Sequence, residues 1–315
     1  MPSALLDRRL LFVTGKGGVG KTTIAAALGQ LAASHGRRTL LCEVDAKGNL
    51  AGAFETGPTK FEEREIAPDL WAMSMDTEAS LKEYLRLQLR LPLLARMGPL
   101  ARTFDFVANA APGVKEILVV GKLCYEVRED HYDLVVVDAP ASGHIVAQLA
   151  APAAIGDLVQ VGKVRDQTGW MLDILRDPAQ TGVVIVSTPE EMPVTETLEL
   201  TERLRTETPV DVASVVVNRV LPELFTRSDE AVFRALREPA PVAALAGAVG
   251  DATGPVLDGA ELAVRLRRTR AEHLGALRAG LPGVELLYVP ELFQRTHGVR
   301  ATRQIAESLG AELGY

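Results

Sequence analysis

Cysteine is scarce in this chain of 315 residues, which contains only Cys42 and Cys124. Two cysteines cannot build a disulfide framework, and no Cys-x-x-Cys pair is present to hold zinc. No apolar run approaches the roughly 18 residues of a membrane span, which argues against stable membrane insertion. Basic residues number 34 against 41 acidic ones, and the formal charge of −7 argues against nucleic acid as the main partner.

The first residues also lack the pattern of a secretory signal. An apolar run begins within about ten residues of Met1 and leaves no room in the sequence for such a segment. Together with the low cysteine content, this predicts a cytoplasmic location. The chain is 47% hydrophobic, which is enough to bury a large core.

A glycine-rich segment follows the first apolar run. Residues 15–23 read Gly-Lys-Gly-Gly-Val-Gly-Lys-Thr-Thr and satisfy the phosphate-loop pattern G-x-x-x-x-G-K-[ST]. The run before it has the composition of a strand, and residues 24–33 after it are rich in helix formers. Backbone N–H groups at such a helix start bind phosphate, so ATP and Mg²⁺ are the expected ligands. The predicted nucleotide-binding residues are Gly15, Gly17, Gly18, Val19, Gly20, Lys21, Thr22 and Thr23, with Lys21 on the β- and γ-phosphates and the Thr22 hydroxyl on Mg²⁺.

Apolar runs alternate with helical patterns along the rest of the chain. This alternation predicts an α/β fold, with a doubly wound, mostly parallel sheet and helices on both faces. We expect a single domain over residues 1–315, with a helical subdomain inserted at about 77–130. The predicted strands are 9–14, 38–44, 70–75, 132–138, 182–187, 211–218 and 284–289.

Three predicted strands end in side chains with distinctive chemistry, at the edge where such sheets bind ligands. Asp45 follows the second strand and suits a residue that positions or deprotonates an attacking water. Asp138 ends a strand of the Walker B type and is expected to reach Mg²⁺ through water. Asn218 ends a third strand, where its amide can both donate to and accept from adenine. Taken alone, Asn218 is equally compatible with a turn.

A second lysine in the loop, Lys16, extends the motif. The sequence K-G-G-V-G-K-T resembles the deviant Walker A loop of dimeric nucleotidases that include ArsA, the tail-anchored-protein targeting ATPase, MinD, ParA and the nitrogenase iron protein. The resemblance implies that Lys16 reaches across a dimer interface to the partner's nucleotide, as an arginine finger does elsewhere.

Two further segments resemble the branch formed by ArsA and the tail-anchored-protein targeting ATPases. D-x-x-x-N-L-x-x-x-F, starting at Asp45, resembles its switch I, although Ala46 and Gly48 replace the usual proline and histidine. D-x-x-x-[ST]-G-H, starting at Asp138, resembles its switch II. The resemblance implies catalytic roles for Lys16, Asp45 and Asp138, with both aspartates linked to Mg²⁺ through water. The further nucleotide contacts that it implies are Asn49, Gly143, Asn218 and Pro290.

The chain is identified as a bacterial member of this family that lacks the zinc cysteines and the arsenite-binding thiolates. The resemblance implies a Mg-ATP-dependent dimeric switch, either a homodimer or a heterodimer with a paralogue. It also implies a hydrophobic or membrane-protein client. Two alternatives stay open, a ParA/MinD-like positioning ATPase and a nucleotide-gated scaffold that pairs with a paralogous subunit.

The predicted insertion contains an amphipathic segment at residues 81–95, with a leucine face and a basic face, broken before Pro92. Three interpretations compete: packing on the nucleotide domain, a hydrophobic groove for a client helix, and a helix on a membrane surface. Adaptable grooves favour methionine, and Met97 is the one methionine between residues 77 and 130. Composition therefore does not favour the groove.

Overall fold

Eight strands form one sheet in the part of the chain that the computed structural model describes, which comprises residues 4–45, 48–89, 113–158, 161–223, 226–250, 252–293 and 298–315. The strands are β1 Leu10–Gly15, β2 Thr39–Glu43, β3 Arg64–Ala67, β4 Leu70–Ser74, β5 Leu134–Asp138, β6 Thr181–Ser187, β7 Val212–Val220 and β8 Glu285–Pro290. They lie in the order β3-β4-β2-β5-β1-β6-β7-β8. Every neighbouring pair is parallel except β3 with β4.

Eleven α-helices of the described residues connect these strands. They are α1 Lys21–Ser34, α2 Asn49–Ala53, α3 Thr77–Leu89, α4 Val114–Arg128, α5 Ser142–Leu158, α6 Lys163–Arg176, α7 Glu191–Glu207, α8 Arg227–Leu236, α9 Pro239–Val249, α10 Thr253–Gly280 and α11 Val299–Leu313. No helix among the described residues is both long and apolar enough to cross a membrane.

The core lies on both faces of the sheet, because alternate strand residues point to opposite sides. On one face, Phe12 and Val137 pack with residues of α4, α5, α6 and α7. On the other face, Val13 and Val136 pack with residues of α1 and α11. Burial on both faces explains why the parallel strands read as nearly continuous apolar runs. The prediction of a doubly wound, mostly parallel α/β sheet is confirmed, as are the seven predicted strands.

The sequence did not predict the edge strand β3. Its first two residues, Arg64 and Glu65, are exposed, so the segment lacks the apolar run that marks the other strands. Asp69 allows the tight reversal into β4, with φ of 58°. Short charged edge strands are a common way to block pairing with other chains.

The predicted helical insertion is represented by α3 and α4, which contact each other. Residues 90–112 lie outside the described residues, and so does the end of the predicted amphipathic segment at 81–95. The three interpretations of that segment therefore stay predictions.

Candidate nucleotide site

The phosphate-loop segment connects the end of β1 to the start of α1. Gly15 has φ of 145°, and a Cβ at this position would overlap the carbonyl oxygen of Val186 on β6. Gly20 precedes α1 with φ of 99°, and no side chain caps the first turn of the helix. A helix start of this kind, with no side-chain cap, is suited to binding an anion.

The two loop lysines point to different places. Lys21 lines a cleft above the loop, and its Nζ donates to the carbonyl oxygen of Lys16 at 3.1 Å. The Lys16 side chain forms an ion pair with Glu196 of α7 and does not line the cleft. The ammonium of Lys21 therefore lies in the cleft of its own chain, and that of Lys16 lies outside the cleft.

Thr22 and Asp138 meet at the floor of the cleft. The Thr22 hydroxyl donates to Oδ2 of Asp138 at 2.6 Å. Burial raises the pKa of Asp138 to about 6, and the neighbouring carboxylate of Glu43 adds to this rise. The hydrogen bond from Thr22 and the charge of Lys21 oppose the rise without cancelling it.

The cleft has a volume of about 670 Å³. It opens at the carboxyl edge of the sheet, where α/β proteins bind ligands. One wall comes from α2 and the start of α11, where the Thr302 hydroxyl donates to the Ala53 carbonyl oxygen at 3.1 Å. The lining residues are Gly17, Gly18, Gly20, Lys21, Thr22, Thr23, Glu43, Asp45, Asn49, Gly52, Ala53, Asp138, Ala139, Ala141, Gly298, Ala301 and Thr302.

The predicted switch I residues lie on this cleft. Asp45 is exposed just after β2, and Asn49 begins α2. The backbone N–H of Asn49 donates to Oε1 of the buried Glu43 at 2.9 Å, so Glu43 fixes the start of α2. Ala46 and Lys47 lie outside the described residues.

The remaining predicted nucleotide contacts do not line the cleft. Gly143 is exposed in the first turn of α5, and Pro290 is exposed at the end of β8. Asn218 is buried beneath the loop, where its Nδ2 donates to the Val19 carbonyl oxygen at 2.8 Å. Its Oδ1 accepts the N–H of Arg219 at 2.9 Å. In this arrangement both polar atoms of the Asn218 amide are bonded to backbone, and its adenine contact stays a prediction.

Sequence reasoning missed three contributors to the site. Glu43 is a charged residue inside an apolar strand, and that contrast was the signal available. Glu196 and the segment 298–302 offer no local signal, because their roles depend on contacts with residues far away along the chain.

Fold and loop together define the class, an α/β nucleotide-binding protein of the phosphate-loop type. A family model described as the anion-transporting ATPase, ArsA, matches residues 8–173 and 160–238. The chain belongs to this ArsA ATPase family and is accordingly an ATPase, which confirms the resemblance drawn from its motifs.

Curated relatives are consistent with this assignment. ATPase BagA of Mycobacterium tuberculosis is 37% identical over 232 residues, covering 70% of this chain and 68% of the relative. A putative arsenical pump-driving ATPase of Aquifex aeolicus is 27% identical over 248 residues, covering 68% of this chain and 81% of the relative. ATPase GET3 of Chaetomium globosum is 32% identical over 176 residues, covering 54% of this chain and 52% of the relative.

Proposed function

We propose that this ATPase is a Mg-ATP-dependent dimeric switch, in which nucleotide state controls the association of two subunits and the binding of a client. The observation that carries the proposal is the pair of loop lysines. Lys21 lines the cleft of its own chain, whereas Lys16 lies outside that cleft with its side chain 27% exposed. A cation in this position is available to a second subunit.

The residues on the floor of the cleft suit Mg²⁺, which prefers oxygen ligands. The Thr22 hydroxyl and the Asp138 carboxylate offer such oxygens side by side, and both would hold the ion together with the phosphates. In the described part of the chain, no three His, Cys, Asp or Glu side chains converge as a metal site. Most ligands of the ion would therefore come from phosphate and water. When bound, Mg²⁺ neutralises charge on the β- and γ-phosphate oxygens.

Each protein group then has a distinct task in hydrolysis. The loop N–H groups and Lys21 bind the phosphates, and for this Lys21 gives up its hydrogen bond to the Lys16 carbonyl. Asp45 orients the attacking water from the side of the cleft next to α2. The partner's copy of Lys16 stabilises the charge that develops on the γ-phosphate, the task of an arginine finger in other nucleotidases. Asn218 holds the loop from below and, in our proposal, also contacts adenine.

The client would bind at the helical part of a single domain. A second cavity, of about 260 Å³, lies among α3, α4, α5 and α6, and its lining includes Leu81, Ile117, Ile155, Trp170 and Met171. This apolar surface supports a hydrophobic client over a purely structural role for the insertion. The cytoplasmic location expected from the sequence stays a prediction.

The dimer is tested by light scattering with Mg²⁺ and a non-hydrolysable ATP analogue. We expect the wild-type mass to double. We expect Lys16→Ala to weaken this doubling and to lower turnover by about a thousand-fold or more, as loss of an arginine finger does. Lys60→Ala, which removes an exposed lysine far along the chain from the loop, is the matched control. A wild-type monomer under all conditions would refute the homodimer and direct the search to a paralogous partner.

The role of Asp45 is tested separately by steady-state ATP hydrolysis. Asp45→Asn should bind nucleotide normally but turn over at most a few per cent as fast, because a neutral amide positions water less effectively. Asp173→Asn on α6 removes the same charge at an exposed position and should leave ATP turnover unchanged. Wild-type turnover by Asp45→Asn would rule out the proposed role.

A further inference from the structure

Glu196 is the counter-ion of Lys16. It lies on the second turn of α7, and its Oε1 forms the ion pair with the Lys16 ammonium. The two side chains are 27% and 32% exposed, so the pair lies at the surface and can exchange partners without unfolding any element. The contact spans 180 positions of the chain, and it joins the phosphate loop to the helix that follows β6.

The same carboxylate has a second contact, with the segment that follows Asp138. The Ser142 hydroxyl donates to Oε2 of Glu196 at 3.5 Å. Ser142 is the first residue of α5, four positions after Asp138 and next to Gly143. Glu196 therefore connects the loop lysine to the segment that resembles switch II, although it does not line the nucleotide cleft itself.

The position of the Lys16 side chain outside its own cleft is explained by this ion pair. A long lysine side chain in a glycine loop would otherwise be free to approach the phosphates of its own chain, where Lys21 already supplies a cation. The ion pair holds Lys16 on the α5 and α7 side of the loop, while Lys21 donates to the Lys16 backbone carbonyl. The side chain of Lys16 is thus fixed away from its own cleft.

We infer that Glu196 is a positioning residue that holds Lys16 in its own subunit until the nucleotide of a partner subunit withdraws it. The inference rests on the proposed role of Lys16 across the dimer interface. A bound triphosphate carries several negative charges and outcompetes a single carboxylate for the ammonium. Transfer of Lys16 also leaves Glu196 with Ser142 alone, which ties dimer closure to the start of α5.

The expected effect of removing this restraint is modest. Pairs of this exposure contribute little, about two- to five-fold each in an equilibrium constant, and a symmetric dimer releases two of them, so the association constant shifts by about four- to twenty-five-fold. Glu196→Gln keeps the shape and the hydrogen-bonding capacity of the side chain while removing its charge. Because the restraint opposes dimer formation in both subunits, the variant should dimerise at a protein concentration about four- to twenty-five-fold lower than the wild type.

The experiment is a protein titration monitored by light scattering, with Mg²⁺ and a non-hydrolysable ATP analogue. Glu199→Gln is the matched control, because it removes the same charge three residues along α7 from an exposed position. Lys16→Ala and the double variant Lys16→Ala/Glu196→Gln complete a double-mutant cycle. We expect the Glu196→Gln shift to vanish when Lys16 is absent, which a purely structural role for Glu196 would not produce.

The possible failures are distinguishable. If the wild type doubles in mass but Glu196→Gln needs an equal or higher concentration, the restraint is refuted and the dimeric switch stands. A shift that persists without Lys16 likewise refutes the restraint. If neither the wild type nor Glu199→Gln gains mass, the homodimeric switch fails and the inference fails with it. The thermal unfolding midpoint of Glu196→Gln should equal that of Glu199→Gln, which excludes a folding defect as the cause.

Discussion

Replacement of Asp138 by asparagine should stabilise the protein when nucleotide and Mg²⁺ are absent. The carboxylate is 7% exposed, and its pKa is raised from 3.8 to about 6, mainly by burial. An ionised carboxylate whose pKa is raised in the native state destabilises that state, because the unfolded chain holds the same charge in water. Asparagine has the same shape, keeps an oxygen for the Thr22 hydroxyl and carries no charge.

The magnitude follows from the two pKa values. Near pH 7.5 the shift corresponds to about 3 kcal/mol, at 1.36 kcal/mol for each pKa unit. Between the two pKa values the native state binds more protons than the unfolded state, so stability rises as pH falls through this window. At pH 5.0 native Asp138 is mostly protonated and unfolded Asp138 is mostly ionised. Lowering the pH from 7.5 to 5.0 should therefore stabilise the wild type by about 1.4 kcal/mol more than Asp138→Asn.

Urea unfolding in EDTA at both pH values measures this difference. Asp173→Asn serves as the control for loss of one exposed carboxylate, and contributions of all other groups cancel between the variants. Parallel pH profiles for the wild type and Asp138→Asn would show that the carboxylate is not destabilised by its surroundings. The same substitution should abolish ATP turnover, so stability and activity change in opposite directions.

Three further predictions concern the surroundings of the site. Gly121→Ala on α4 should stabilise the protein by about 0.5–1 kcal/mol in thermal or urea unfolding, because alanine favours a helix and the Met171 methyl that it meets can shift into the neighbouring cavity. Lys122→Met should cost up to about 3 kcal/mol by the same assay, because the buried Glu126 carboxylate loses the Lys122 ammonium at 2.6 Å and keeps only the exposed His131 ring at 2.7 Å among the described side chains. Adding Glu126→Gln should recover part of the loss. Asn218→Ala should weaken ATP binding in a fluorescence titration, and a fall in the preference for ATP over GTP would indicate an adenine contact.

Each of these predictions has a contradicting result. A destabilised Gly121→Ala would mean that Met171 has no room to move. A double variant no more stable than Lys122→Met would mean that loss of packing, and not an unpaired charge, explains the cost. Equal losses of ATP and GTP affinity in Asn218→Ala would restrict that residue to supporting the loop.

The loop, the strands and the family were predictable because their signals are local. A glycine pattern between an apolar run and a helical run specifies its own geometry, and buried parallel strands appear as apolar segments. The edge strand at Arg64–Ala67 lacks that signal, since it is short and begins with two exposed charged residues. Its pairing depends on β4 rather than on its own composition.

The parts of the site that were missed depend on long-range contacts. The pair of Lys16 with Glu196 and the bond of Asn218 to Val19 each join residues about 180 to 200 positions apart. Nothing in the spacing of a single sequence specifies which of several glutamates will reach the loop. The buried Glu43 is different, because a charged residue within an apolar strand is visible in the sequence and was not used.

The wall formed by α2 and the start of α11 has a consequence for synthesis of the chain on the ribosome. The loop at residues 15–22 is synthesised long before Gly298, Ala301 and Thr302 are added. A nascent chain can hold the loop and the strands on either side of it while still lacking one wall of the cleft. Full affinity for ATP therefore arises only after Thr302 has been added, so the nucleotide stabilises chains that include this wall and gives little support to shorter ones.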